Sequence, residues 1–79
     1  MLLDAQAEPE ITQAIREKIE GGGEAVLTDL HVWHIGPGIY SVIMVIDASS
    51  PKPVEFYKQQ LDAERFPHIT VELVVKNHD

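Results

Sequence analysis

The sequence contains no cysteine, which excludes disulfide bonds, thiolate metal ligands and cysteine nucleophiles. A metal ion bound here would therefore need histidine and carboxylate ligands. No apolar segment approaches the roughly 20 residues that a transmembrane helix requires. The first residues, Met1 to Asp4, also lack the basic and apolar regions of a signal peptide. We therefore expect that the chain as given does not cross a membrane.

Positive charge is also scarce, since 6 Lys and Arg stand against 13 Asp and Glu and give a formal net charge of −7. Binding to DNA or RNA depends on a basic surface that neutralises phosphates, so nucleic acids are poor partner candidates. An anionic membrane surface is disfavoured for the same reason. With 79 residues, 44% of them hydrophobic, the chain should form one small globular domain of marginal stability.

Two segments carry helix signals. Ile11, Ile15 and Ile19 recur every four residues in a charged context and predict a helix over roughly 9–20, which the glycines at 21–23 end. Residues 1–8 lack periodicity and are interpreted as a connector. A second helix is predicted after a Ser50 cap, ending at Phe66–Pro67. Its core-facing residues would be Val54, Tyr57 and Leu61.

Three segments carry strand signals. Residues 25–35 alternate, and residues 39–46 form an apolar run typical of a central strand. The turn Gly36-Pro37-Gly38 joins them. Residues 68–75 alternate again, and 76–79 form a polar tail. The first strand should place Val26, Leu30 and Val32 on one face and Asp29, His31 and Trp33 on the other. The third should place Ile69, Val71, Leu73 and Val75 on one face and His68, Thr70, Glu72 and Val74 on the other.

The resulting αββαβ order predicts an α+β, ferredoxin-like two-layer sandwich, in which a three-stranded mixed sheet carries both helices on one face. The other face then has no helix to cover it. An uncovered apolar face usually marks a partner interface, so we expect a homodimer formed at least partly there. The candidate interface residues are Trp33, Met44 and Val74.

The sequence offers no nucleophile elbow, phosphate loop or catalytic triad, and we expect a protein that is not an enzyme. Histidines and carboxylates do occur at strand spacing. Asp29 and His31 leave one face with Cα atoms about 6.6 Å apart, whereas His34 should point to the opposite face. His68 and Glu72 share a face but lie about 13 Å apart, so each needs ligands from a neighbouring strand or a second subunit.

Each candidate also has a simpler interpretation. His31 beside Trp33 would more often be a packed, hydrogen-bonded ring than a metal ligand. His34 and Glu72 would more often be exposed to solvent. From spacing alone, the sequence predicts a metal-responsive or protein-binding module.

The strand Leu27-Thr28-Asp29-Leu30-His31-Val32-Trp33, the turn Gly36-Pro37-Gly38 and the segment His68-Ile69-Thr70-Val71-Glu72 together resemble the cytoplasmic C-terminal domain of cation diffusion facilitator (cation efflux) transporters. The resemblance covers about residues 9–75. It implies a ferredoxin-like domain that dimerises beneath a membrane-embedded exporter of divalent cations such as zinc, cobalt, cadmium, iron or manganese. Residues 1–8 would then connect to a transmembrane domain of the same chain, and the domain would lie at the cytoplasmic face of the cell membrane.

The resemblance also bears on the ligands. His31 matches the histidine of the family's Leu-His-Val-Trp strand, and His68 and Glu72 fall where members hold metal-binding groups. Thr28 stands where many members have a histidine ligand. These matches imply a site of His31, His68 and Glu72, supported by Asp29 or His34, that is completed across the dimer and takes zinc or cobalt. The alternatives are a metal-independent dimerisation module and a stand-alone ferredoxin-like domain that binds a small ligand.

Overall fold

The computed structural model describes residues 6–76 of the chain, so most of the predicted connector and of the predicted tail lie outside the described residues. Helix α1 spans Pro9–Glu20, as its isoleucine spacing predicts, and buries Ile15 and Ile19. Residues 6–8 differ from the predicted connector because they are docked on the fold. Gln6 forms a β-bridge with Trp33, and the Ala7 N–H donates to the Val32 carbonyl at 3.0 Å.

The three strands are β1 (Val26–Gly36), β2 (Ile39–Ala48) and β3 (His68–Val75), in the order β1-β2-β3. β1 and β2 are antiparallel, whereas β2 and β3 are parallel. Pro37 and Gly38 form the hairpin turn, and Gly38 adopts a positive φ of 69° that side chains disfavour. The αββαβ ferredoxin-like arrangement and the central position of the apolar strand are therefore confirmed.

Helix α2 is shorter than predicted and spans only Val54–Lys58. The Ser50 cap is wrong, because the residue before the helix is Pro53 and no side chain caps it. The chain continues in turns after Lys58, where the Leu61 N–H donates to the Lys58 carbonyl at 3.2 Å. Because Tyr57, Leu61 and Phe66 are nevertheless buried, the whole segment still packs on the sheet.

A β-bulge at Thr28 changes the predicted alternation of β1. Leu27 pairs with Ile46 and Asp29 with Val45, so Thr28 is an extra residue on the β1 side. The extra residue moves the preceding residues to the other face, and Leu27 rather than Val26 is buried. The placement of Val26 with Leu30 and Val32 was therefore wrong. The Glu20 carboxylate accepts the Leu27 N–H at 2.7 Å and ties this bulge to α1.

One face of the sheet packs against the helices and forms the core. β2 contributes five buried residues to this face: Tyr40, Val42, Met44, Ile46 and Ala48. Met44 is fully buried there, which overturns its prediction as an interface residue. It was misplaced because an apolar run on both faces of β2 does not reveal which residues the helices cover.

We call the other side of the sheet the open face, because no helix of the described chain covers it. Alternation along β2 places the exposed Ile39 on it, and pairing across the strands assigns twelve further residues to it. They are Val26, Asp29, His31 and Trp33 of β1, Ser41, Ile43, Val45 and Asp47 of β2, and His68, Thr70, Glu72 and Val74 of β3. The predicted alternation of β3 is confirmed. The open face is where the candidate site has to be sought.

Candidate metal site on the open face

The strand register places four of the five predicted ligands, Asp29, His31, His68 and Glu72, on the open face. Asp29 pairs with Val45, which pairs in turn with Glu72, so these two carboxylates share a row across the sheet. His31 occupies the next row, with Ile43 and Thr70. The sheet thus collects carboxylates and imidazoles from both edge strands on one surface, as the sequence predicts.

Asp29 and His31 are in direct contact. The His31 Nε2 lies 3.1 Å from Asp29 Oδ1 and 3.2 Å from Oδ2, and both side chains are more than half exposed. A tetrahedral zinc ion with bond lengths near 2.0–2.1 Å holds its ligand atoms about 3.3 Å apart. The separation of Asp29 and His31 is that of an ordinary hydrogen bond, and both side chains would have to turn toward a common position to share one ion.

The candidate ligands of β3 do not meet Asp29 and His31 in the structure. The Cα atoms of Asp29 and Glu72 are separated by two strand spacings, or about 9.5 Å. His31 lies two strands and two residues from either Glu72 or His68, or about 12 Å. Within residues 6–76, no three His, Asp or Glu side chains form a group that could hold a metal ion. Asp29 and His31 are thus the two candidate ligands that meet within the described part of the chain.

His34 lies on the helix-facing side of the sheet, away from the other candidates. It pairs with Tyr40, and the two ring centroids are 4.7 Å apart. Its Nε2 lies 3.2 Å from the Glu8 carboxylate. The pKa of Glu8 is lowered, chiefly because its own backbone N–H donates to the carboxylate; desolvation opposes this, and His34 adds a smaller lowering. His34 is therefore removed from the predicted ligand set.

Thr28 and Asp47 add a polar contact that the sequence did not predict. The Thr28 hydroxyl lies 3.4 Å from Asp47 Oδ1 and from the Val45 carbonyl. Asp47 is half-buried on the open face, opposite Val26. The position of Asp47 in β2, two residues after Val45, indicates that it lies on the open face. Its contact with the Thr28 hydroxyl was not predictable, because that contact depends on the bulge at Thr28. This corner of the open face therefore holds an oxygen-rich pair.

Apolar side chains occupy the rest of the open face. Val26 is 46%, Ile43 40% and Val74 38% exposed, and Trp33 is half-buried. Trp33 and Val74 thus remain available as interface residues. A groove of about 630 Å³ borders Trp33 and His31 at the outer edge of β1 and continues beneath Pro9 of α1. The open face combines apolar contact area with partly assembled ligands.

No protein-family model, curated protein or solved structure shows a significant match to this chain. Within the described part of the chain, no helix is long and apolar enough to cross a membrane.

Proposed function

We propose that this chain is the regulatory and dimerisation domain of a divalent-cation exporter of the cation diffusion facilitator type. The domain binds zinc or cobalt between two copies and performs no catalysis. In the full-length protein it lies at the cytoplasmic face of the membrane and partners with the transmembrane domain of the same chain. Cation binding draws two copies together and thereby favours the transporting dimer.

The observation that carries this proposal is the incomplete ligand set on an uncovered sheet face. Asp29 and His31 are in contact, and His68 and Glu72 face the same side without joining them in one ligand group within the described residues. A second copy apposed to the open face supplies the missing ligands. The apolar residues around them, Trp33, Ile43 and Val74, supply contact area for the same apposition.

Charge supports a cation at this interface. Two copies carry twice −7, or −14, so bringing them together costs electrostatic repulsion. A divalent cation between the open faces offsets part of that repulsion and stabilises the dimer by mass action. Because imidazole binds a metal only when it is neutral, the affinity should fall as the pH is lowered.

Isothermal titration calorimetry with zinc and with cobalt tests the proposal. We expect saturable heat for the wild type and at least about tenfold weaker binding for His31→Ala and His68→Ala, since even outer-sphere partners of a metal contribute about 10–100-fold to affinity. His34→Ala is the matched control, because it removes an imidazole from the helix-facing side. The proposal fails if the wild type gives no saturable heat, or if His68→Ala and the wild type give identical heats.

A metal-independent dimerisation module is the second candidate, and the exposed apolar residues of the open face favour it. Sedimentation velocity with zinc and with a chelator distinguishes the two functions. A dimer that forms only with zinc supports the regulatory domain. A dimer that persists in chelator and dissociates in Trp33→Ala supports the metal-independent module.

A further inference from the structure

A cavity lies on the helix side of the sheet, between the end of α1, the glycine turn that follows it and α2. Its volume is about 310 Å³, at the lower end of the range of small-molecule sites. Two of its lining residues, Ile19 and Tyr57, also belong to the hydrophobic core. The cavity is therefore separated from the open face by the sheet itself.

The walls of this cavity are largely apolar. Ile19 of α1 and Ala25, which precedes β1, are buried side chains that line it. Phe56 of α2 is 40% exposed and meets the ring of the buried Tyr57 edge-on, with the ring centroids 5.4 Å apart. The apolar body of a ligand would lose its contact with water against these four side chains, which favours its binding.

Two ammonium groups line the same cavity, that of Lys18 in the last turn of α1 and that of Lys52 before α2. The Lys52 Nζ lies 5.5 Å from the Phe56 ring centroid, in a cation–π contact. Within residues 6–76 neither lysine forms an ion pair, although the chain has 13 Asp and Glu. Glu24 also lines the cavity, so one positive charge remains in excess there, on a chain of net charge −7.

The Tyr57 hydroxyl adds a hydrogen-bond donor. Its oxygen accepts the Lys52 backbone N–H at 3.1 Å. This bond uses a lone pair, and the described part of the chain contains no acceptor for the hydroxyl proton. Because Tyr57 is 4% exposed and lines the cavity, that proton remains available to a ligand bound there.

We propose that this cavity binds a small organic anion in which a carboxylate is joined to an apolar aromatic or aliphatic body. Lys18 and Lys52 supply the positive charge that attracts the carboxylate, and the Tyr57 hydroxyl donates to it. The apolar body packs against Ile19 and Phe56. This inference goes beyond the proposed function and does not depend on it, because these residues all lie away from the open face.

An NMR titration of the whole chain with sodium benzoate tests the site, and benzamide serves as an uncharged ligand of the same shape. We expect saturable shifts of the Ala25, Phe56 and Tyr57 amide signals with a benzoate dissociation constant of about 1–10 mM, in keeping with its small size. Benzamide should bind at least about threefold more weakly at the same ionic strength, because it lacks the charge. The signals of Ile43 and Thr70 on the open face should not shift.

Charge variants test the recognition of the carboxylate. Lys18→Gln and Lys52→Gln should each weaken benzoate binding about two- to fivefold, the size expected for an exposed charge pair. Lys58→Gln is the matched control, because it removes the same charge from α2 at a lysine that does not line the cavity. Tyr57→Phe keeps the ring and should weaken binding about two- to tenfold, as expected for one hydrogen bond. Circular dichroism confirms that each variant is folded.

Three results would overturn the anion site. The first is the absence of saturable shifts at the cavity amides with benzoate up to about 50 mM, several times the weakest dissociation constant expected. The second is binding of benzamide as tight as that of benzoate. The third is a loss of benzoate affinity in folded Lys58→Gln as large as that in folded Lys52→Gln.

Discussion

Met44 and Ile43 are neighbours in β2 with opposite environments. Met44 is fully buried beneath the helices, and Ile43 is 40% exposed on the open face. Both are apolar, so composition alone does not separate them. The difference in exposure depends on which side of the strand the helices cover. The two residues therefore form a matched pair for comparing the stability that a buried and an exposed side chain contribute.

Met44→Ala should lower the free energy of unfolding by about 2–5 kcal/mol, because it removes buried methylene groups and leaves a cavity. Ile43→Ala should cost less than about 1 kcal/mol, since most surface changes are small. Urea unfolding followed by circular dichroism measures both. Equal losses for the two variants would contradict the assigned faces of β2.

The contacts of single residues also show where sequence reasoning succeeded. The spacing of Asp29 and His31 predicted a shared face, and they are in contact at 3.1 Å. The odd separation of His31 and His34 predicted opposite faces, as observed. The contact of His34 with Glu8 was not predictable, because it joins residues 26 positions apart whose approach depends on the docking of α1 beside β1.

The hairpin between β1 and β2 depends on one backbone conformation. Gly38 has a φ of 69°, which a residue with a Cβ adopts only at a cost in free energy. The turn sets the register of both strands and thereby the faces of all candidate ligands in β1. A substitution at Gly38 should therefore destabilise the whole β1–β2 hairpin.

Gly38→Ala should lower the free energy of unfolding by about 1–2 kcal/mol, because alanine disfavours the left-handed region. Gly22→Ala is the control, since a Cβ there meets open space and no positive φ is required. We expect it to stay within about 0.5 kcal/mol of the wild type. Thermal and urea unfolding measure both variants. A neutral Gly38→Ala would show that the turn tolerates another conformation.

The elements themselves were predictable to different degrees. α1 and β3 match their predicted bounds, because isoleucine spacing and strict alternation are strong local patterns. The bulge at Thr28 was not predicted, because the extra residue disturbs the alternation of apolar and polar residues along β1 only at Leu27. α2 ends early at Lys58, although Tyr57 and Leu61 are buried as predicted. Turns can bury the same side chains that a longer helix would.

At the scale of the whole molecule, the net charge of −7 should govern association. Two acidic copies repel each other, and dissolved salt screens this repulsion. The screening length falls from about 30 Å at 0.01 M to about 3 Å at 1 M ionic strength. Any association of two metal-free copies should therefore be weaker at low than at high salt. Apolar contacts between two open faces would not be weakened by the same screening.

Sedimentation equilibrium of the chelator-treated protein at about 20 mM and about 500 mM NaCl measures this effect, over a range in which surface charges pass from weakly to strongly screened. The dissociation constant for two copies of the chain should be lower at the higher NaCl concentration. An increase would show that ion pairs between the copies outweigh the repulsion of their net charge. The change should be smaller with zinc present, because the cation already offsets part of the repulsion.

The sequence by itself determined the element order, the central position of β2, and the shared face of Asp29, His31, His68 and Glu72. These follow from periodicities of two and 3.6 residues, which are local properties of the chain. Only the tertiary structure decided that Leu27 replaces Val26 in the core, that Met44 is covered, and that His34 meets Glu8. These depend on a bulge, on the side of the sheet that the helices occupy, and on the docking of a distant segment, because packing between elements is not encoded in the spacing of any one of them.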